Sequence, residues 1–153
     1  MAVAKRNFPR NNLSALPGIH PDAGEAHDLR ELLEPAIVDC AMGPFATLQR
    51  LTLAQAIDSL LECELHLAPQ VYRQAHMALY RLAPVPRLVT LAEIELHAAE
   101  PVLLHYLAGP AQRRIVVEDF HALVDALANG SGSQAVQVLR THLSRLKRAW
   151  SID

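Results

Sequence analysis

Aromatic residues supply only 5% of this 153-residue chain, and it has just two cysteines, Cys40 and Cys63. They have neither CxxC nor zinc-ribbon spacing, so two buried free thiols in a reducing compartment are the expectation. β-branched residues are scarce and no segment alternates apolar with polar residues, which leaves no half-buried strand. No uninterrupted apolar run reaches the length of a membrane span. Basic excess is missing as well. A net charge of −2 and a pI near 6.4 leave no broad footprint for nucleic acid. The opening MAVAKRNFPRNNLSALPG has basic residues but lacks the apolar stretch of a secretory signal. What the chain does have is leucine and alanine. With 51% hydrophobic residues and a mean hydropathy of +0.12, it is not a disordered protein. The length suits one soluble cytoplasmic domain with a real core.

Residues 1–27 hold three prolines and three asparagines without apolar periodicity and read as a flexible arm. The remainder, 28–153, reads as an all-α domain. Asp28 with Glu31 opens the first helix, whose apolar stripe is Leu29, Leu32, Leu33, Ala36, Ile37 and Cys40. Gly43-Pro44 closes it. A second helix runs from about Phe45 until Pro69 interrupts, and a third from about Val71 to Ala83. The fourth covers roughly 87–108 with a break at Pro101, the fifth about 114–128, ending at Asn129-Gly130. The last follows Ser131-Gly-Ser and carries Ala135, Leu139, Leu143, Leu146 and Trp150 along one side. These elements predict an antiparallel bundle of six or seven helices.

Two histidines interrupt the inward stripes. His76 belongs to the row Tyr72, His76, Leu79, Ala83, and His142 sits between Leu139 and Leu143. An inward imidazole must hydrogen-bond or bind something, and a core histidine satisfied by a carbonyl is the commoner outcome. His121 is turned about 100° from the stripe Phe120, Leu123, Val124, Leu127 and is expected in solvent, one turn from Glu118. His66 follows Glu62 at i+4, His97 and His105 flank Pro101, and His20 and His27 lie in or beside the arm. None of these has two further ligands at a recognisable spacing, so no metal site is expected on them. GxSxG, HExxH and phosphate-loop motifs are absent. The basic cluster Arg140, Arg145, Lys147, Arg148 is what a helix C-terminus favours anyway.

Three segments together carry a family resemblance. The stretch His76-Met-Ala-Leu-Tyr-Arg-Leu-Ala-Pro-Val-Pro-Arg-Leu resembles the "FH…L…A..NP.L" pattern of the C-terminal effector-binding (FCD) domain of FadR-type GntR transcription regulators. Asp119 to Leu143 resembles that domain's closing helix pair without a gap, with Asp125-Ala-Leu, Gly130, Ala135, Leu139 and His142-Leu in register. Arg30-Glu-Leu-Leu-Glu34 is similar to its opening. The resemblance covers about 28–149 and implies a FadR C-terminal-domain-like bundle around a pocket. In many members an Asp and three His there bind a divalent metal that holds a small, often carboxylate-bearing, effector. Carried over, the Asp position is Tyr72, the first His is His76, the second is Phe120 and the third is His142. The Phe before the first His is Ala75, and the Asn before the Pro is Val85.

Two imidazoles make a poor divalent site, so the metal is expected to be lost, leaving His76 and His142 as vestiges. The expected ligand-binding set is Arg30, Tyr72, His76, Phe120 and His142, suited to a carboxylate or an apolar or aromatic molecule. The winged helix-turn-helix that precedes this domain in GntR regulators does not fit into residues 1–27, so direct DNA binding by this chain alone is not expected. The leading reading is a stand-alone sensor or regulatory domain, homodimeric and without membrane attachment. The alternative is an enzyme evolved on the scaffold, in a biosynthetic pathway for example, with His76, Tyr72 and His142 as acid and base. A third reading is a helical interaction module with no small ligand.

Overall fold

A computed structural model of the chain describes residues 22–41, 43 and 45–150. Among these, seven α-helices and two single-turn 3-10 segments account for the fold, with no strand. The helices are α1 (Asp22–Cys40), α2 (Thr47–Asp58), α3 (Ala68–Tyr80), α4 (Pro86–Ala98), α5 (Glu100–Tyr106), α6 (Pro110–Ala128) and α7 (Gly132–Trp150). The all-α bundle expected from the sequence is the fold observed. The expected arm lies largely outside the described residues, and so does His20.

Proline and glycine set most boundaries. Pro69, Pro86, Pro101 and Pro110 each sit in the first turn of a helix, where the missing N–H has no intrahelical partner to lose. Pro69 therefore starts α3 rather than interrupting its predecessor. The expected fourth helix is divided at Ala99, just before Pro101. Gly130 adopts φ +74° after α6, and the amides of Gly130 and Ser131 return to the carbonyls of Leu127 and Ala126. That pair of hydrogen bonds satisfies the helix end and turns the chain within three residues into α7.

The first helix departs from expectation in two ways. It begins at Asp22, not Asp28, and its inward face is rotated. Ala26, His27, Arg30, Glu34, Ile37, Val38 and Ala41 are buried, whereas Leu29, Leu32, Ala36 and Cys40 are exposed. The physical reason is that Arg30 and Glu34, four residues apart, neutralise each other inside the bundle. Cys40 is thus an exposed thiol and Cys63 a half-buried one, which corrects the expectation of two buried cysteines.

α1 packs along both α4 and α7, α6 pairs with α7, and α3 runs against α2, α4 and α5. Ile37, Ile57, Leu79, Leu96, Leu103 and Leu143 are among the side chains with no exposure at all. Arg113 of α6 ties three segments together: Nε donates to the Leu107 carbonyl at 2.8 Å and Nη1 to those of Cys63 and Leu60 at 2.8 and 3.2 Å. Among the described residues no helix is long and apolar enough to cross a membrane.

Candidate functional site

Tyr72, His76 and Tyr80 follow one another at four-residue spacing down the inward face of α3, and all three are buried. The His76 Nδ1–H donates to the Tyr72 carbonyl at 2.8 Å, which fixes the tautomer and leaves Nε2 with its lone pair. The Tyr72 ring stacks on His76 with centroids 4.0 Å apart, and Phe120 of α6 meets the imidazole edge-on at 5.1 Å. His142 of α7 lies nearly parallel to His76 at 5.8 Å.

A hydrogen-bonded chain crosses this cluster. Glu34 accepts from Arg30 Nε and from the Tyr80 hydroxyl, both at 2.5 Å. Arg30 Nη2 donates to the Tyr72 hydroxyl at 2.8 Å, and that hydroxyl lies 2.8 Å from His142 Nε2. The Asp119 carboxylate can only accept, so the neutral His142 ring carries its proton on Nδ1 and its Nε2 accepts from the Tyr72 hydroxyl. Nδ1–H of His142 then donates to Asp119 at 3.0 Å, and Arg145 closes the chain on the same carboxylate oxygen. The series runs from Tyr80 in the core to Arg145 at the surface and draws on α1, α3, α6 and α7.

Burial and charge act on each member. Desolvation, added to by His142, holds His76 well below its usual range, so it stays neutral. Burial raises Tyr72 and Tyr80, against the pull of Arg30. Burial pushes Asp119 up, but the hydrogen bonds from His142 and Arg145 outweigh it and hold the carboxyl low. Desolvation opposes the charge on Arg30, and Glu34 overcomes it. Arg30 is buried completely, and its Nη1 has no hydrogen-bond partner among the described residues.

A model of the FCD domain family matches residues 25–145. The chain belongs to that family. FCD domains bind small-molecule effectors, and this FCD domain is accordingly a ligand-binding regulatory domain. Neither the curated proteins nor the solved structures give a match.

In this FCD domain Arg30, Tyr72, His76, Phe120 and His142, the five residues singled out from the sequence, lie together. A crevice beside them is lined by His76, Asp119, Phe120, Leu123, Val138, Leu139 and His142. It has about 0 Å³ of space open to a sphere the size of water. The other described histidines are elsewhere. His121 is partly exposed and pairs with Asp58 at 2.7 Å rather than with Glu118; His66, His97 and His105 are exposed. His27, assigned to the arm region from the sequence, is buried in α1. Among the described residues no three His, Cys, Asp or Glu side chains come together as a metal centre would need.

Sequence reasoning missed Glu34, Tyr80, Asp119 and Arg145. Two had a visible signal: Glu34 is four residues after Arg30, and Tyr80 is two turns after Tyr72. Asp119 and Arg145 had none, since their meeting depends on the register of α6 against α7.

Proposed function

We propose that this FCD domain senses a small organic molecule at a metal-free polar core built from Arg30, Tyr72, His76, Phe120 and His142. The observation that carries the reading is Arg30, a fully buried guanidinium whose Nη1 is unpaired among the described residues. A buried donor without an acceptor is costly, and a carboxylate or carbonyl oxygen reaching it removes that cost. Phe120, Leu123, Val138 and Leu139 supply apolar walls on the crevice side, which suits an apolar or aromatic body behind the oxygen. The crevice has no room for a ligand as it stands, so binding goes with a swing of Phe120 or a parting of α6 from α7.

The donor set does not fit the family's metal. Tyr72 and Phe120 occupy two ligand positions implied by the resemblance, and both nitrogens of His142 are engaged. Two imidazoles fall short of the three or four protein ligands that zinc takes. The reading places the domain in the cytoplasm and assigns no DNA contact to residues 22–150.

A thermal-shift screen with benzoate, phenylacetate and hexanoate, run with and without EDTA, tests the reading. Stabilisation by at least one acid, unaffected by EDTA, is the expected result. Stabilisation by none of them, or only when zinc is supplied, counts against it.

One observation favours a second reading. Asp119, His142 and Tyr72 form a carboxylate–imidazole–hydroxyl relay, an arrangement that moves a proton in enzymes. In that case Tyr72 and His142, with His76 beside them, are the acid and base. Turnover of a substrate that survives in His142→Ala would eliminate this alternative.

A further inference from the structure

The crevice between α6 and α7 is polar in one sense only. Its apolar walls are Phe120, Leu123, Val138 and Leu139, and its hydrogen-bonding edges are His76, Asp119 and His142. Both nitrogens of His142 are committed, Nε2 to the Tyr72 hydroxyl and Nδ1 to Asp119. Asp119 is a carboxylate and offers acceptors alone. His76 spends its single N–H on the Tyr72 carbonyl at 2.8 Å. These side chains therefore show an entering molecule lone pairs and no uncommitted N–H or O–H.

Nε2 of His76 is the acceptor left over. A carbonyl can only accept, so Tyr72 fixes the ring proton on Nδ1 and leaves Nε2 bare. His76 is 1% exposed, and no hydrogen bond reaches its Nε2 among the described residues. Nδ1 is turned to the backbone of α3, so the opposite edge of the ring looks away from that helix towards the crevice it lines. The crevice has no room for a water that could supply the missing donor. A buried acceptor in this state gains from any donor that reaches it.

We infer that the effector is a hydroxylated aromatic acid, or its N–H counterpart, whose donor hydrogen is accepted by Nε2 of His76 once the crevice opens. This rests on the sensor reading above and gives the effector a direction. Its carboxylate goes to Arg30, because the lone pairs and the Asp119 charge turn an anion away from the crevice. Its ring lies against Phe120, Leu123 and Leu139, and its hydroxyl ends at His76. His76 is then the residue that sets specificity. An acid without the hydroxyl leaves Nε2 unpaired and binds more weakly for that reason.

Isothermal titration calorimetry on the full chain with paired probes tests this. The better of meta- and para-hydroxyphenylacetate binds wild type about tenfold more tightly than phenylacetate. His76→Leu binds the hydroxylated and plain acids alike. In NMR of the imidazole nitrogens, Nε2 of His76 shifts with the hydroxylated acid and not with phenylacetate. That shift is read on wild type, so it decides even where His76→Leu does not fold. Equal affinities for the two kinds of acid, or a preference that survives in His76→Leu, overturn the inference and leave the sensor reading in place. If none of the acids binds, the sensor reading fails, and phenol against toluene judges recognition by His76 alone. Tighter binding of phenol with the Nε2 shift then supports that recognition, and no difference between the two overturns it.

Discussion

The Tyr72 hydroxyl sits between Arg30 and His142, 2.8 Å from each, accepting from the first and donating to the second. Tyr72→Phe removes one oxygen and strands two buried groups at once. Loss of about 1–3 kcal/mol is expected, read from urea unfolding. Tyr106→Phe, at a half-buried tyrosine, is the comparison and should cost little.

The Arg30–Glu34 pair is buried on both sides, so breaking it from one side leaves a charge without its counterion. Arg30→Met or Glu34→Leu alone should each cost about 3–5 kcal/mol, whereas the double variant should recover much of the loss. A double-mutant cycle by chemical denaturation gives the coupling. Additive single losses would show that the two charges are not neutralising each other.

Stability should fall in mild acid. Burial, with Arg30 and Lys147 adding to it, lowers His27 to about 2 from 6.5, and His76 is lowered by burial and His142. The folded chain keeps both neutral while the unfolded chain takes up protons below its own pKa. Their contribution is therefore intact above pH 6.5 and is lost progressively as pH drops from there towards 2. At about pH 5 His27 alone accounts for roughly 2 kcal/mol. Urea midpoints at neutral and acid pH check the slope, and His27→Asn should flatten it.

Metal binding should be recoverable by restoring donors. Tyr72→Asp with Phe120→His reinstates the ligand pattern of the family around His76 and His142. Zinc at about a hundred times its Kd should then stabilise the variant by about 2.7 kcal/mol, with no shift for wild type. A wild-type melting temperature that rises equally with zinc would remove the case for a metal-free core.

Helix punctuation was legible because its chemistry is local. The Asn129-Gly130 stop, the Gly109-Pro110 boundary and the break before Pro101 all depend on the backbone freedom of one or two residues. The start of α1 was not legible, because Asp22–His27 has no apolar repeat to announce a helix. Its inward face was misjudged for a related reason. Hydrophobicity alone turns Leu29 and Leu32 inward, and only the mutual neutralisation of Arg30 and Glu34 makes the other face buriable.

At the core, His76 and His142 stood out as polar breaks in apolar rows, and family resemblance added Arg30, Tyr72 and Phe120. Asp119 and Arg145 needed the three-dimensional register of two helices. Asp119 sits beside Phe120 in the chain, yet it reaches His142 on a different helix.

The tight turn at Gly130 gives α7 the character of a lever. His142 lies about 15 Å along that helix from its first residue and Trp150 about 27 Å, at 1.5 Å per residue. With the pivot at the turn, a swing of α7 wide enough to admit a ligand beside His142 is nearly doubled in amplitude at Trp150. A small expansion of the core would reach the end of α7 as its largest displacement.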